Sequence, residues 1–97
     1  MYGLLGRMTA IPGQRDALVE NLLRGSADLP GCRSYVVARD LEHPDGIWVT
    51  EVWDSEQLHD DSLALPQVQE AIIRARPLIA GFDIHTVTEP VGGVGLR

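Results

Sequence analysis

The chain contains no lysine; its eight basic residues are all arginine, and no two are adjacent. Against 14 Asp and Glu they leave a formal net charge of −6. An acidic chain with no basic patch does not condense on a phosphate backbone, so nucleic acid and anionic membrane surfaces are excluded as default partners. Cysteine occurs once, at Cys32, which excludes an intrachain disulfide framework and a cysteine-rich zinc module. A reducing, cytoplasmic compartment is the expectation. No apolar run approaches the roughly 18 residues of a membrane span. The stretch Met1–Arg7 lacks a basic lead and a long apolar region, so it reads as a first strand and not as a secretory leader.

What is present is the mix of an ordinary globular domain, 44% hydrophobic and 23% charged over 97 residues. That length supports one domain, which hides only about 60–65% of its unfolded surface. Burying more in an oligomer would help. The expected domain covers residues 1–90, and the Gly-rich residues 91–97 are expected to form a flexible tail.

Residues Tyr2 to Ala10 alternate as a strand, with Tyr2, Leu4, Gly6, Met8 and Ala10 on one side. After the turn Ile11-Pro12-Gly13-Gln14, Leu18, Leu22 and Leu29 fall near helical spacing, widened by Val19 and Leu23. This predicts a helix over Arg15–Ala27, closed by Leu29-Pro30-Gly31. Arg33–Leu41 and Ile47–Trp53 read as strands joined through His43-Pro44-Asp45-Gly46 into an antiparallel hairpin. Asp54 or Ser55 caps a short helix, with Gln57 placed as in a capping box. Pro66 opens another helix, whose apolar face is Val68, Ala71, Ile72, Ala75 and Ile79. Pro77 is expected to kink its last turn and Gly81 to close it. Phe82–Glu89 reads as the fourth strand.

The order β-α-β-β-α-β is the ferredoxin-like α+β plan, a four-stranded antiparallel sheet with helices on one face. Apolar residues on both sides of the second strand, Tyr35 and Val37 against Val36 and Ala38, call for cover on both faces. A second copy stacked sheet on sheet supplies it, and a homodimer is expected.

Pro12-Gly13, then Leu29-Pro30-Gly31-Cys32, then Glu51-Val52-Trp53-Asp54-Ser55 followed by His59, with Pro66-x-Val68 and Phe82 trailing, resemble the antibiotic biosynthesis monooxygenase domain family. The order and spacing carry the resemblance, which spans about Tyr2 to Pro90. It implies a dimeric α+β barrel. Its implied activity is cofactor-independent oxidation of quinols or aromatic polyketides to quinones by O2, with no metal or flavin. Relatives on this fold degrade haem, isomerise lactones or have no assigned activity, so the fold alone does not fix the chemistry.

Such an oxygenation needs a base for the phenolic proton and an apolar chamber for the anion. His59 stands where the family carries a histidine and is the candidate base, imidazole being the side chain suited to proton exchange near neutrality. Glu51, a carboxylate among apolar strand neighbours, needs a partner, and His59 is the expected one. A structural histidine on a surface helix is the plainer alternative. Trp53, on the face of Glu51, Ile47 and Val49, is the candidate wall for an aromatic substrate or simply core. Trp48 points to the opposite face, toward the expected dimer seam. Tyr35 can donate to a substrate oxygen. Arg74 and Arg76 can hold a phenolate or carboxylate, although Arg74 can equally pair with Glu70. His85 shares a side with Asp83 and Val87 and reads first as structural; His43 lies in a turn.

No metal is expected, because three scattered histidines make no known ligand spacing. The haem-degrading relatives use an asparagine on strand one, whereas the single asparagine here is Asn21, in the first helix. Their helical ligand position holds Ile72, which argues against haem and leaves Ile72 as an apolar substrate contact. Cys32 has no neighbour that would lower its pKa. The leading reading is a monooxygenase acting on a quinol or polycyclic phenol. The alternatives are a non-catalytic binder of small aromatics or a stress-response protein, and an isomerase or cyclase on the same fold.

Overall fold

The computed structural model describes residues 1–96. Four strands, β1 (Tyr2–Ala10), β2 (Cys32–Arg39), β3 (Gly46–Trp53) and β4 (Ile79–Thr88), form one antiparallel sheet in the order β2-β3-β1-β4. Three α-helices lie between them, α1 (Arg15–Gly25), α2 (Glu56–Ser62) and α3 (Pro66–Ala75), with a 3-10 turn over Arg76–Leu78. This is the ferredoxin-like arrangement, with the second helical segment split in two.

Local sequence explains the split. Ser55, not Asp54, caps α2: its hydroxyl accepts from the Leu58 amide at 3.2 Å. Gln57 bonds Asp61 instead of closing a capping box. Pro66 occupies the first turn of α3, where its missing N–H costs nothing. Pro77 converts the end of α3 into the 3-10 turn, and β4 starts directly at Ile79. Ile79 and Gly81 thus belong to the sheet and not to the helix.

The helix α1 ends at Gly25, two residues before the predicted Ala27, and packs there against α3. A Cβ at Gly25 would run into the Ala71 Cβ. Beside that contact the buried Asn21 donates to the Ala71 carbonyl at 2.8 Å. Leu29 therefore lies beyond the helix, and Leu23 faces solvent. Between helices and sheet lies the core of Ala10, Leu18, Ile47, Val49 and Ala75.

Two features shape the sheet. The Pro44 hairpin is tied at its base by Asp40, whose carboxylate accepts from the Glu42 and His43 amides, Trp48 Nε1 and Arg7 Nε. These donors hold its pKa well below the usual carboxylate range, although partial burial opposes them. Arg7 in turn lies over the Trp48 ring, 5.9 Å from its centroid. The second feature is a bulge in β4: Arg7 pairs with Ile84 but Met8 with Phe82, so Asp83 is the extra residue. The bulge sends the Asp83 carboxylate to Arg7 and Thr9, on the face away from the helices. The expected sharing of a side by Asp83 and His85 is thereby corrected.

Candidate functional site

Antiparallel pairing sets Glu51 beside Leu4 and Tyr35, and Trp53 beside Tyr2. Glu51 and Trp53 alternate with Val52 on β3, so both face the helices. Opposite them stands the apolar side of α3. The two surfaces do not close completely, and a cavity of about 470 Å³ remains, within the range of small-molecule sites. Its walls are mostly apolar, including Met8, Leu22, Val68, Ala71, Ile72 and Phe82. Glu51, Trp53, His59, Tyr35 and Arg76, with Ser26 and Ser62, supply its polar groups.

His59 reaches the cavity from α2. Its ring lies between two aromatics, 5.4 Å from Trp53 in an edge-on arrangement and 5.6 Å from Tyr2. Nδ1 is 3.2 Å from Asp60 Oδ1, and the side chain keeps 18% of its exposure. The hydroxyl of Ser62 bonds the His59 carbonyl and steadies the short helix.

Glu51 is not bonded to His59 as expected. The Trp53 indole N–H, two residues along the same strand, donates to Glu51 Oε1 at 3.0 Å. Burial raises the Glu51 pKa; that hydrogen bond and the nearby His59 and His85 pull the other way. Trp53, 1% exposed, is therefore both core and cavity wall, and its ring orients the carboxyl. Burial, reinforced by the charge of Glu51, pushes the Tyr35 phenol far above its ordinary value. Tyr35 thus remains a hydrogen-bond donor at any ordinary pH.

The remaining candidates separate. Ile72 lines the cavity. Arg74 does not; it lies on the outer side of α3, 3.9 Å from Glu70. Arg76, one half-turn further, does line it. Of the acids near His59 in sequence, Asp60 is at the ring, whereas Asp54 pairs with Arg33 and Asp61 accepts from Gln57. His85 lies on a neighbouring hollow of about 400 Å³, which shares Met8, Tyr35, Glu51 and Phe82 with the first. The thiol of Cys32 is raised by burial, the opposite of an activated nucleophile. Among the described residues no three His, Cys, Asp or Glu side chains converge to hold a metal ion. No helix of the described chain is long and apolar enough to cross a membrane.

Sequence reasoning missed Tyr2 and placed Phe82 without its face. Tyr2 is on the side of Leu4, but only the register Tyr2↔Trp53 brings it to His59. Phe82 turns toward the cavity because of the Asp83 bulge; strict alternation would place it with Ile84 on the other face.

The family model for antibiotic biosynthesis monooxygenase matches residues 1–74. A crystal structure from Chloroflexus aurantiacus, of a protein named for that family, is 58% identical with a TM-score of 0.97, covering 99% of this chain and 98% of the other. A similarly named Deinococcus radiodurans protein is 26% identical with a TM-score of 0.79, over 97% of this chain and 96% of that one. One from Caulobacter crescentus, 18% identical with a TM-score of 0.84 over 94% and 90% of the two chains, shows the shared fold alone. No curated protein matches the chain.

Proposed function

The chain belongs to the antibiotic biosynthesis monooxygenase family, and on that premise we propose that it is a cofactor-independent monooxygenase oxidising a quinol or polycyclic phenol with O2. The observation that supports the reading is a partly exposed imidazole and a half-buried carboxyl together at the wall of an apolar cavity.

In this mechanism the aromatic substrate lies against Trp53 and the α3 side chains Val68, Ala71 and Ile72. His59 accepts the phenolic proton. Asp60 at Nδ1 and the nearby Glu51 carboxyl stabilise the imidazolium that results. Trp53 holds Glu51 in place. The substrate anion, its charge delocalised to the reacting ring carbon, passes one electron to O2. The carbon radical and superoxide then combine to form the C–O bond, and a proton completes the hydroperoxide. Loss of water breaks the O–O bond and, where the carbon was a CH2, leaves a carbonyl. One oxygen atom of O2 enters the quinone and the other leaves as water. Tyr35 donates to a substrate oxygen, and the apolar walls keep bulk water from the anion.

The functional unit in this reading is a homodimer in which a second copy covers the sheet face that carries no helix. The substrate and O2 are its small-molecule partners.

Oxygen uptake by chelator-treated protein against hydroquinones and anthrones, beside His59→Ala, tests the reading. Uptake that survives chelation and falls about 10²–10⁴-fold in His59→Ala, the usual worth of a general base, is expected. Full activity in that variant overturns the role of His59. Turnover without oxygen favours an isomerase or cyclase, and tight aromatic binding without any turnover favours a binding protein.

A further inference from the structure

The described residues include seven arginines, and six of them have an acceptor. Arg7 meets Asp40 and Asp83, Arg24 meets Glu20, Arg33 meets Asp54, Arg39 meets Asp16, and Arg74 meets Glu70. Arg15 donates to the carbonyls of Asp40 and His43. Arg76 alone among them has no acceptor, and Arg76 is the one basic side chain on the main cavity apart from His59. In a chain with 14 acidic residues, leaving that one cation unpaired is a local feature of the site.

We infer that Arg76 binds a carboxylate of the substrate, making the preferred substrate a polycyclic phenol that bears an acid group at the end remote from the reacting ring. Its guanidinium presents paired N–H donors that match a planar carboxylate in two-point contact. The spacing favours a polycyclic ligand. Glu51 is opposite Leu4 on β1, while Ile79, three residues beyond Arg76, is opposite Ala10. Six positions of strand separate these rows, roughly 20 Å at about 3.4 Å per residue. The long arginine side chain closes part of that span, and a fused-ring system fills the rest where one ring would not. No charged side chain among the described lining residues lies between them, so charge recognition is confined to the two ends. Among the described lining residues the one carboxyl, Glu51, sits with His59 at the other end, so a carboxylate entering the wrong way round meets an acid group instead of the guanidinium. Arg76 would therefore fix the orientation as well as the affinity of the substrate.

This inference rests on the cavity being the substrate site, and its test reads binding, not turnover. Anthraquinone-2-carboxylate and its neutral carboxamide are titrated into the full chain, followed by quenching of tryptophan fluorescence and by calorimetry. The expected result is at least tenfold tighter binding of the carboxylate by the native protein. Arg76→Gln abolishes that preference, Arg76→Lys retains part of it, and Arg74→Gln, with the same change in net charge, keeps it. Equal affinities in the native protein, failure of the carboxylate to bind, a preference that survives Arg76→Gln, or one lost equally in Arg74→Gln would each overturn the inference. Absence of oxygen uptake alongside an Arg76-dependent preference would count against the oxygenase reading and leave this one standing.

Discussion

In the proposed mechanism Glu51 is the residue at which stability and chemistry meet. Its pKa is raised by burial, so between the unfolded value near 4.5 and the higher folded value the native state holds more protons than the unfolded chain. Stability must then fall as pH rises through that interval. Glu51→Gln keeps an acceptor for the Trp53 indole and removes the charge. The expected outcome is a variant whose thermal midpoint gains on the native protein between pH 4 and pH 7.5 while its turnover drops. A constant difference in midpoint across that range would show that the carboxyl pays no burial cost. The residue type and its strand face were legible in the sequence, because period-two alternation puts Glu51 with Trp53. Its hydrogen-bond partner was not. A donor two residues along the same strand and one on the following helix look equally available until the Trp53 rotamer is seen.

At the scale of elements, the contact between α1 and α3 holds one wall of the cavity in position. Gly25 and Ala71 meet too closely for a further methyl group. Overpacking of this kind costs about 1–3 kcal/mol, and Gly25→Ala should lower the thermal midpoint accordingly. Adding Ala71→Gly should recover part of the loss despite the poor helix propensity of glycine, which costs about 1 kcal/mol on its own. Strict additivity in denaturant unfolding of the single and double variants would disprove the contact. The helices themselves were readable from periodicity and from Pro66, and all four strands from alternation and the turn at Pro44. What could not be read was the end of α1, which stops at Gly25 and not at Ala27, nor the close approach of Gly25 to Ala71. The start of β4 was also hidden, since Ile79 extends the apolar pattern of α3 as well as that of a strand. The Asp83 bulge has the largest functional consequence of the three, because it brings Phe82 to the cavity while sending its neighbour to Arg7 and Thr9.

Across the whole molecule the asymmetry of the sheet matters most. The helices cover one face. The other carries Val36 at 52% and Ile84 at 41% exposure, near the buried Val52 and the Trp48–Arg7 stack. Strand β4 is an edge ten residues long with Phe82 at 74% and Val87 at 55% exposure. Unprotected edges and apolar faces of this kind invite self-association. The two-sided apolar character of β2 foretold such a face, although the β4 edge emerges only with the strand order. If a second copy covers the bare face, folding and association are linked, and the thermal midpoint must rise with protein concentration. Sedimentation at micromolar concentration should give twice the mass of the chain. Val36→Glu with Ile84→Glu should reduce it to one copy and make the midpoint independent of concentration. Neither position lines the main cavity, so the doubly substituted chain should still bind an aromatic carboxylate if each subunit holds a complete site. Loss of binding together with loss of the dimer would place part of that site on the partner.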